Sequence, residues 1–370
     1  MAKIRAEAMT VRYSRVGESI RCTIGVDDPA ALGRAATLRI CRKVEVHDSR
    51  AVNESDTVFE TKIPSLESRN EIVIPSGSQF FTYHGTKIDI AIRTEIEVDD
   101  ALLFDTKISR EEMVSIGLKP EVSTDAKEIV EPKDVFNFIE NFKAIPPKNR
   151  MIVSWLMVVG AVVIAFNSWV GWHDQWVPEP MTWFYSQHNS KGESSPPLQK
   201  SLMGSGAAGA AVWFAIRRQL RKYMSFDLCA VPGQIGRTDS IPASKLVIGR
   251  SRVPLENVTI RVAACNMEKG QYKRGSGTKE RTVSFTEPVR AVILYERTFT
   301  MIPANIPVEQ YLDGPVSFEP MFRVLYPPQQ TSSTHGLTVH WEVQLLSDVF
   351  VDQEVVGSSD CFKWEDFLEA

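Results

Sequence analysis

Hydrophobic and polar positions along the chain follow two different periods, and the change between them divides it into parts. Residues 151–172 read MIVSWLMVVGAVVIAFNSWVGW, with no Asp, Glu, Lys, Arg or His. A helix rises 1.5 Å per residue, so a run of this length spans roughly 30 Å, the thickness of bilayer hydrocarbon. Soluble helices keep a polar stripe, and this run has no charged position, so a transmembrane helix is expected. A second run, 201–216, reads SLMGSGAAGAAVWFAI and is shorter than the ~17–25 residues usually needed. It reaches further if the stem of Arg217 or Arg218 snorkels toward the headgroups. The expectation is a two-helix transmembrane hairpin over 151–216 with an outward loop at 173–200.

On either side the period is two. In 87–98, Ile88, Ile90, Ile92, Ile96 and Val98 share one face, and Lys87, Asp89, Arg93, Glu95 and Glu97 the other. In 337–345, Leu337, Val339, Trp341, Val343 and Leu345 oppose Thr338, His340, Glu342 and Gln344. That alternation predicts strands with one face buried and one wet. Segments 19–26 and 37–46 are β-branched and partly alternating, with turn-like stretches between strands, which suggests a β-sandwich. The expected layout is an N-terminal β-sandwich over 1–112 and a C-terminal one over 217–370 with a short tail. Between them, 113–150 holds a polar linker (113–131) and a juxtamembrane amphipathic helix. In that helix Val135, Phe136, Phe138, Ile139 and Phe142 recur at helical spacing after Pro132. Its phenylalanines either enter the membrane interface or dock on a β domain; the pattern leaves both open.

Charge orients the hairpin. Lys143, Lys148 and Arg150 precede the first run, and Arg217, Arg218, Arg221 and Lys222 follow the second. The loop between holds only Lys191 and Lys200 as cations, so both termini are expected in the cytoplasm. Trp169, Trp172, Trp176 and Trp183 then crowd the outer interface, where an amphipathic indole is favoured. The start, MAKIRAEAMTVRYSR, lacks the apolar core of a secretory signal. Five cysteines without a C-x-x-C pair suit free thiols in a reducing compartment. A formal net charge of -4 over 370 residues suggests no domain-wide basic surface for nucleic acid. The expected location is a bacterial inner membrane.

Gly204-Ser205-Gly206-Ala207-Ala208-Gly209 matches the G-x-G-x-x-G spacing of dinucleotide-binding loops, but a polar loop precedes it where a strand is required. Gly204/Ala208 and Ser205/Gly209 read better as small-xxx-small pairs that let helices approach, either against the first run or against another copy. The six histidines are scattered, no spacing supplies converging metal ligands, and Asp99, Asp100 and Asp105 lack the pattern of a calcium loop. No catalytic residue, cofactor or metal is expected. Segment 269–281, KGQYKRGSGTKER, places Lys269, Lys273, Arg274, Lys279 and Arg281 on a basic hairpin tip. It is either a solvated loop or a contact for anionic lipid or a partner.

The two best strands are introduced alike. Tyr83-His84-Gly85 precedes the strand from Ile88, and Thr334-His335-Gly336 precedes Leu337-Thr338-Val339, each after a proline-marked loop. Ile72-Val73-Ile74-Pro75 and Phe322-Arg323-Val324-Leu325-Tyr326-Pro327-Pro328 extend the parallel upstream, so an internal duplication is expected. These motifs resemble the arrestin-like fold superfamily, in which two β-sandwich domains stand in tandem. The usual members are soluble, whereas here a helical hairpin lies between the two units. The resemblance implies an adaptor that binds other proteins and carries over no catalytic residues. The expected function is a membrane-anchored, non-enzymatic scaffold presenting two cytoplasmic β-sandwiches to protein partners. The alternatives are a structural subunit of an oligomeric membrane complex or pore, or an accessory subunit of a membrane enzyme.

Overall fold

The computed structural model describes residues 9–16, 19–75, 81–99, 106–114, 136–224, 234–348, 351–357, 361–362 and 364–367. The protein is mainly β, with several sheets and one strongly apolar helix. Most of the expected linker, and Asp100 and Asp105 of the acidic turn, fall outside the described residues.

The N-terminal region comprises β1 (Met9–Val16), β2 (Ser19–Val26), β3 (Ala36–Val46), β4 (Ala51–Val52), β5 (Glu54–Ile63), β6 (Arg69–Ile74), β7 (Tyr83–His84), β8 (Ile88–Val98) and β9 (Thr106–Glu112). A three-stranded sheet runs β1-β2-β6, and a five-stranded sheet runs β5-β3-β8-β7 with β9 on β8. Ile20, Cys22 and Ile24 from the first and Leu38, Ile40, Ile92 and Ile96 from the second share one core. The period of two is thus spent on burying one face of each sheet. Thr94 interrupts the apolar face of β8 yet is fully buried, because its hydroxyl pairs with the Tyr13 hydroxyl at 2.6 Å. Burial pushes the Tyr13 phenol up, and the Cys22 thiol to about 12. The opposite face carries ion pairs, among them Arg39 to Glu97 and Lys107 to Glu95, both at 2.6 Å.

The helices follow. Asn137 caps α1 (Phe138–Ala144), its side chain accepting from the Ile139 and Glu140 amides. Pro147 opens α2 (Pro147–Trp176) at a position where its missing N–H costs nothing. After the loop comes α3 (Pro197–Met224). The contacts run antiparallel: Gly160 meets Val212 and Gly171 meets Ser201. Among the described residues α2 alone is long and apolar enough to cross a membrane, and only 11% of its apolar window is buried. The phenylalanines before α2 dock inward: Phe136 and Phe138 contact Trp213 at 5.7 and 6.0 Å.

The C-terminal region holds β10 (Ser240–Pro242), α4 (Ala243–Leu246), β11 (Leu255–Arg274), β12 (Arg281–Ile302), β13 (Pro315–Ser317), α5 (Glu319–Val324), β14 (Gln329–Ser332), β15 (His335–Leu346) and β16 (Val351–Gly357). Its large sheet runs β12-β11-β15-β14, with β16 also on β15. The sixth strand is β4, which leaves the N-terminal region to pair with β11 at Gln271 and Tyr272. Trp341 lies at the centre of the core, edge-on to Phe318 at 5.6 Å. Ile145, Val153, Ile216, Leu220 and Tyr223 join the same cluster, so the helix pair is rooted in this region. The tail docks through Phe362 and Phe367 onto Phe322. The polar face of β15, expected to be wet, is largely enclosed: Thr338, Glu342 and Gln344 are buried. Alternation reports polarity, and a polar side chain with hydrogen-bond partners can be buried; Glu342 has both His340, at 3.2 Å, and Gln344.

Candidate functional site

The most specific chemistry lies where the two β regions meet. Along β11 the inward face reads Val258, Ile260, Val262, Ala264 and then turns polar at Asn266 and Glu268, both fully buried. The Glu268 carboxylate accepts from the Tyr83 hydroxyl at 2.7 Å and from the amides of Thr86 at 2.9 Å and Lys87 at 2.6 Å. Burial, together with this neighbouring carboxylate, pushes the Tyr83 phenol up, so it stays a donor. A Cβ at Gly85 would fall 1.9 Å from Glu268 Oε1; glycine is there because the carboxylate needs the space. Thus the first His-Gly pair shapes a turn around an acceptor supplied by the other region.

Three more contacts repeat the theme. Gln329 uses its side-chain amide as a strand would use its backbone, donating to the Phe81 carbonyl at 2.6 Å and accepting from the Phe81 amide at 2.8 Å. Asn266 brackets Tyr326 in the same way, at 2.8 Å in both directions. His335 is buried; its Nε2 donates to the Val52 carbonyl at 2.8 Å, and its Nδ1 lies 3.1 Å from Glu54. The Tyr326 ring stands edge-on to Tyr83 at 5.2 Å and under the Arg290 guanidinium at 4.6 Å. Around these groups Val46, Ile88, Ile90 and Leu337 form a small apolar cluster drawn from both regions. Chemically this is a fixed clamp: every donor named has an acceptor. The sequence signal was a polar residue continuing an apolar face, at Asn266 and Glu268. His84, the sequence counterpart of His335, is instead exposed beside Asp89.

The helix pair has its own polar seam. Asn167 donates to the Ser201 carbonyl at 2.7 Å and to Ser205 Oγ at 2.9 Å, and accepts from the Tyr185 hydroxyl at 2.6 Å. Of the small residues singled out, Ser205 is buried in this seam, Ala208 and Gly209 are half-buried, and Gly204 is exposed. The tightest approaches are made by Gly160 and Gly171, where an added Cβ would collide with Val212 and Ser201; the first run hid them among its valines. In the loop, the buried carboxylate of Asp174 accepts from the amides of Trp183, Phe184 and Tyr185 at 2.7–2.9 Å. His173 stacks on Trp183 at 3.8 Å, and Trp169 meets the same indole at 4.9 Å. Trp169, Trp172, Trp176 and Trp183 are all exposed. The signal in sequence is a single acid, Asp174, set between Trp172 and Trp176.

The basic positions separate. Arg217 stacks on Phe136 at 5.2 Å, whereas Arg218, Arg221 and Lys222 line a groove with Leu156 and Phe214. Lys269 pairs within the sheet opposite Gly336. Lys273 pairs with Glu280 at 2.9 Å and, through its amide, with the Arg50 carbonyl at 2.9 Å. Arg274, Lys279 and Arg281 are exposed at the tip, where Arg50 also donates to the Gly275 carbonyl. The tip therefore abuts the N-terminal region, roughly 60 Å along β11 from the helix roots at 3.3 Å per residue. Among the described residues no group of three or more His, Cys, Asp or Glu is placed to hold a metal ion. No protein-family model matches the chain, and no curated protein matches it.

Proposed function

We propose that this protein is a membrane-anchored, non-enzymatic scaffold in which two β-sandwich domains act as one cytoplasmic platform for protein partners. The observation that carries this reading is the continuity of the molecule. The helix pair is rooted in the core of the C-terminal region, and that region is clamped to the N-terminal one through Glu268, Gln329 and His335. A platform built so holds its surfaces at a set position relative to the helices. The exposed apolar side chains of α2, among them Trp155, Val158, Val162 and Phe166, suit lipid, since water would leave such a surface unsatisfied. The arrestin-like motifs support an adaptor role, and strand edges or loops are the surfaces on offer.

Two measurements test it. A cysteine introduced at Ser190 should be labelled only from outside, with both termini inside a bacterial inner membrane; labelling only from inside removes the topology. Crosslinking in membranes followed by mild-detergent purification and mass spectrometry should recover several foreign proteins. A homo-oligomer alone would favour the second reading, a structural subunit of a membrane complex, and one stable enzyme an accessory subunit. The oligomer reading has support in α3, whose Gly206, Ala207, Ala210 and Ala211 are exposed, a small-residue surface that α2 does not use.

A further inference from the structure

The groove at the charged end of α3 has a composition that neither the scaffold role nor the packing of the helices requires. It measures about 810 Å³ and is lined by Leu156, Phe214, Ala215, Arg218, Gln219, Arg221 and Lys222. Those residues include three cations and no carboxylate. Phe214, Arg218 and Lys222 recur every four residues, so they stack on one face of α3. Arg217, one position away, points elsewhere and is taken by Phe136. The apolar part of the groove has a second wall from α2, because Leu156 belongs to the uncharged run 151–172. Phe214 keeps 65% of its surface exposed.

A ligand matching both halves must carry an anionic group joined to a hydrocarbon chain. We infer that this groove is a binding site for an anionic phospholipid, a deduction that rests on the membrane reading above. The phosphate lies between Arg218 and Lys222, and one acyl chain runs along Leu156 and Phe214. Cations held near a bilayer surface attract anionic headgroups, and the apolar wall beside them takes the chain. A zwitterionic lipid offers the same chain but a compensated head, and free phosphate offers the charge without the chain.

The test uses the full-length chain reconstituted in nanodiscs of equimolar phosphatidylglycerol and phosphatidylcholine, with lipids retained on gentle release counted by native mass spectrometry. Phosphatidylglycerol should be retained over phosphatidylcholine by about tenfold. The double variant Arg218→Gln with Lys222→Gln should bring that ratio close to one, and Arg218→Lys with Lys222→Arg should restore it, which separates lost charge from lost folding. Inorganic phosphate at millimolar level should leave the retained lipid in place. Equal retention of both lipids by the wild type, an unchanged ratio in the Gln variant, or displacement by phosphate alone would overturn the site. Recovery of the wild-type chain in the soluble fraction after a carbonate wash would overturn the membrane reading and the site together; the other outcomes leave membrane insertion standing.

Discussion

At its helical end the C-terminal region buries Ile145, Val153, Ile216, Leu220 and Tyr223 against its own sheet; at the other end it meets the N-terminal region through Glu268, Gln329 and His335. The first contact is held by area removed from water, which is non-directional and tolerates substitutions of similar volume. The second is held by directional bonds between buried groups, where a missing acceptor leaves donors with nothing in place of water. The same sheet thus attaches to one neighbour chiefly by bulk, and to the other by directional bonds set beside a smaller apolar cluster. The difference matters for a platform: bulk fixes that two parts adhere, and directional bonds fix the angle at which they do.

Removing an acceptor should distinguish the two most sharply. Glu268→Ala leaves the buried Tyr83 hydroxyl and the part-buried Thr86 and Lys87 amides unpaired; at ~1–3 kcal/mol for a fully buried donor and less for the other two, a loss of about 4 kcal/mol is expected. Urea unfolding of the full chain measures it, and hydrogen exchange should show protection lost around 81–90 while the helix roots keep theirs. Loss at both ends would mean that the contacts are one unit.

Truncating the apolar contact should cost somewhat less. Leu220→Ala is expected to destabilise by about 3 kcal/mol through lost transfer energy and a residual cavity. If the two ends are independent, its effect adds to that of Glu268→Ala within ~0.5 kcal/mol, and a larger interaction energy in the same unfolding assay breaks the comparison.

The smallest effect is electrostatic and belongs to the margin of the clamp. His47 Nε2 lies 2.9 Å from Asp89, and its Nδ1 lies 3.1 Å from the Thr86 carbonyl. The hydrogen bond to Asp89, then that to the carbonyl, raise the His47 pKa. Its contribution to stability is therefore fully present below the unfolded value of about 6.5, and it fades as pH rises through the higher folded value. His84 also approaches Asp89, at 3.5 Å. A shallow fall in unfolding free energy with rising pH is expected above about pH 6.5, and Asp89→Asn should flatten it.

Much of the fold was legible because its cause is local. Ile88, Ile90, Ile92 and Ile96 announce a strand whichever sheet it joins, and the observed element, Ile88–Val98, differs from the expected 87–98 by one residue. The run 151–172 announces a helix, extended in the structure to Pro147–Trp176 because Pro147 can start a turn and His173 and Asp174 continue it into the loop. The sites were less legible. Gly160 and Gly171 have no feature in sequence that sets them above Gly204 or Gly209, since only the crossing point of two helices decides which glycine is crowded. The alternation at Thr338, Glu342 and Gln344 predicts a wet face where the structure has a buried one, since polarity alone does not reveal what lies above it.

The sequence by itself determined the periods, and with them the order of strands and helices, the apolar run and the faces that prefer to leave water. Tertiary structure decided the rest: that β4 crosses to the other region's sheet, that Phe136 and Phe138 dock on Trp213, and that Glu268 meets Tyr83 across 185 positions of chain. The physical reason is range. Periodicity records the environment of a residue relative to its immediate neighbours, whereas a buried hydrogen bond requires one particular partner, and no pattern within a few residues of Glu268 names Tyr83.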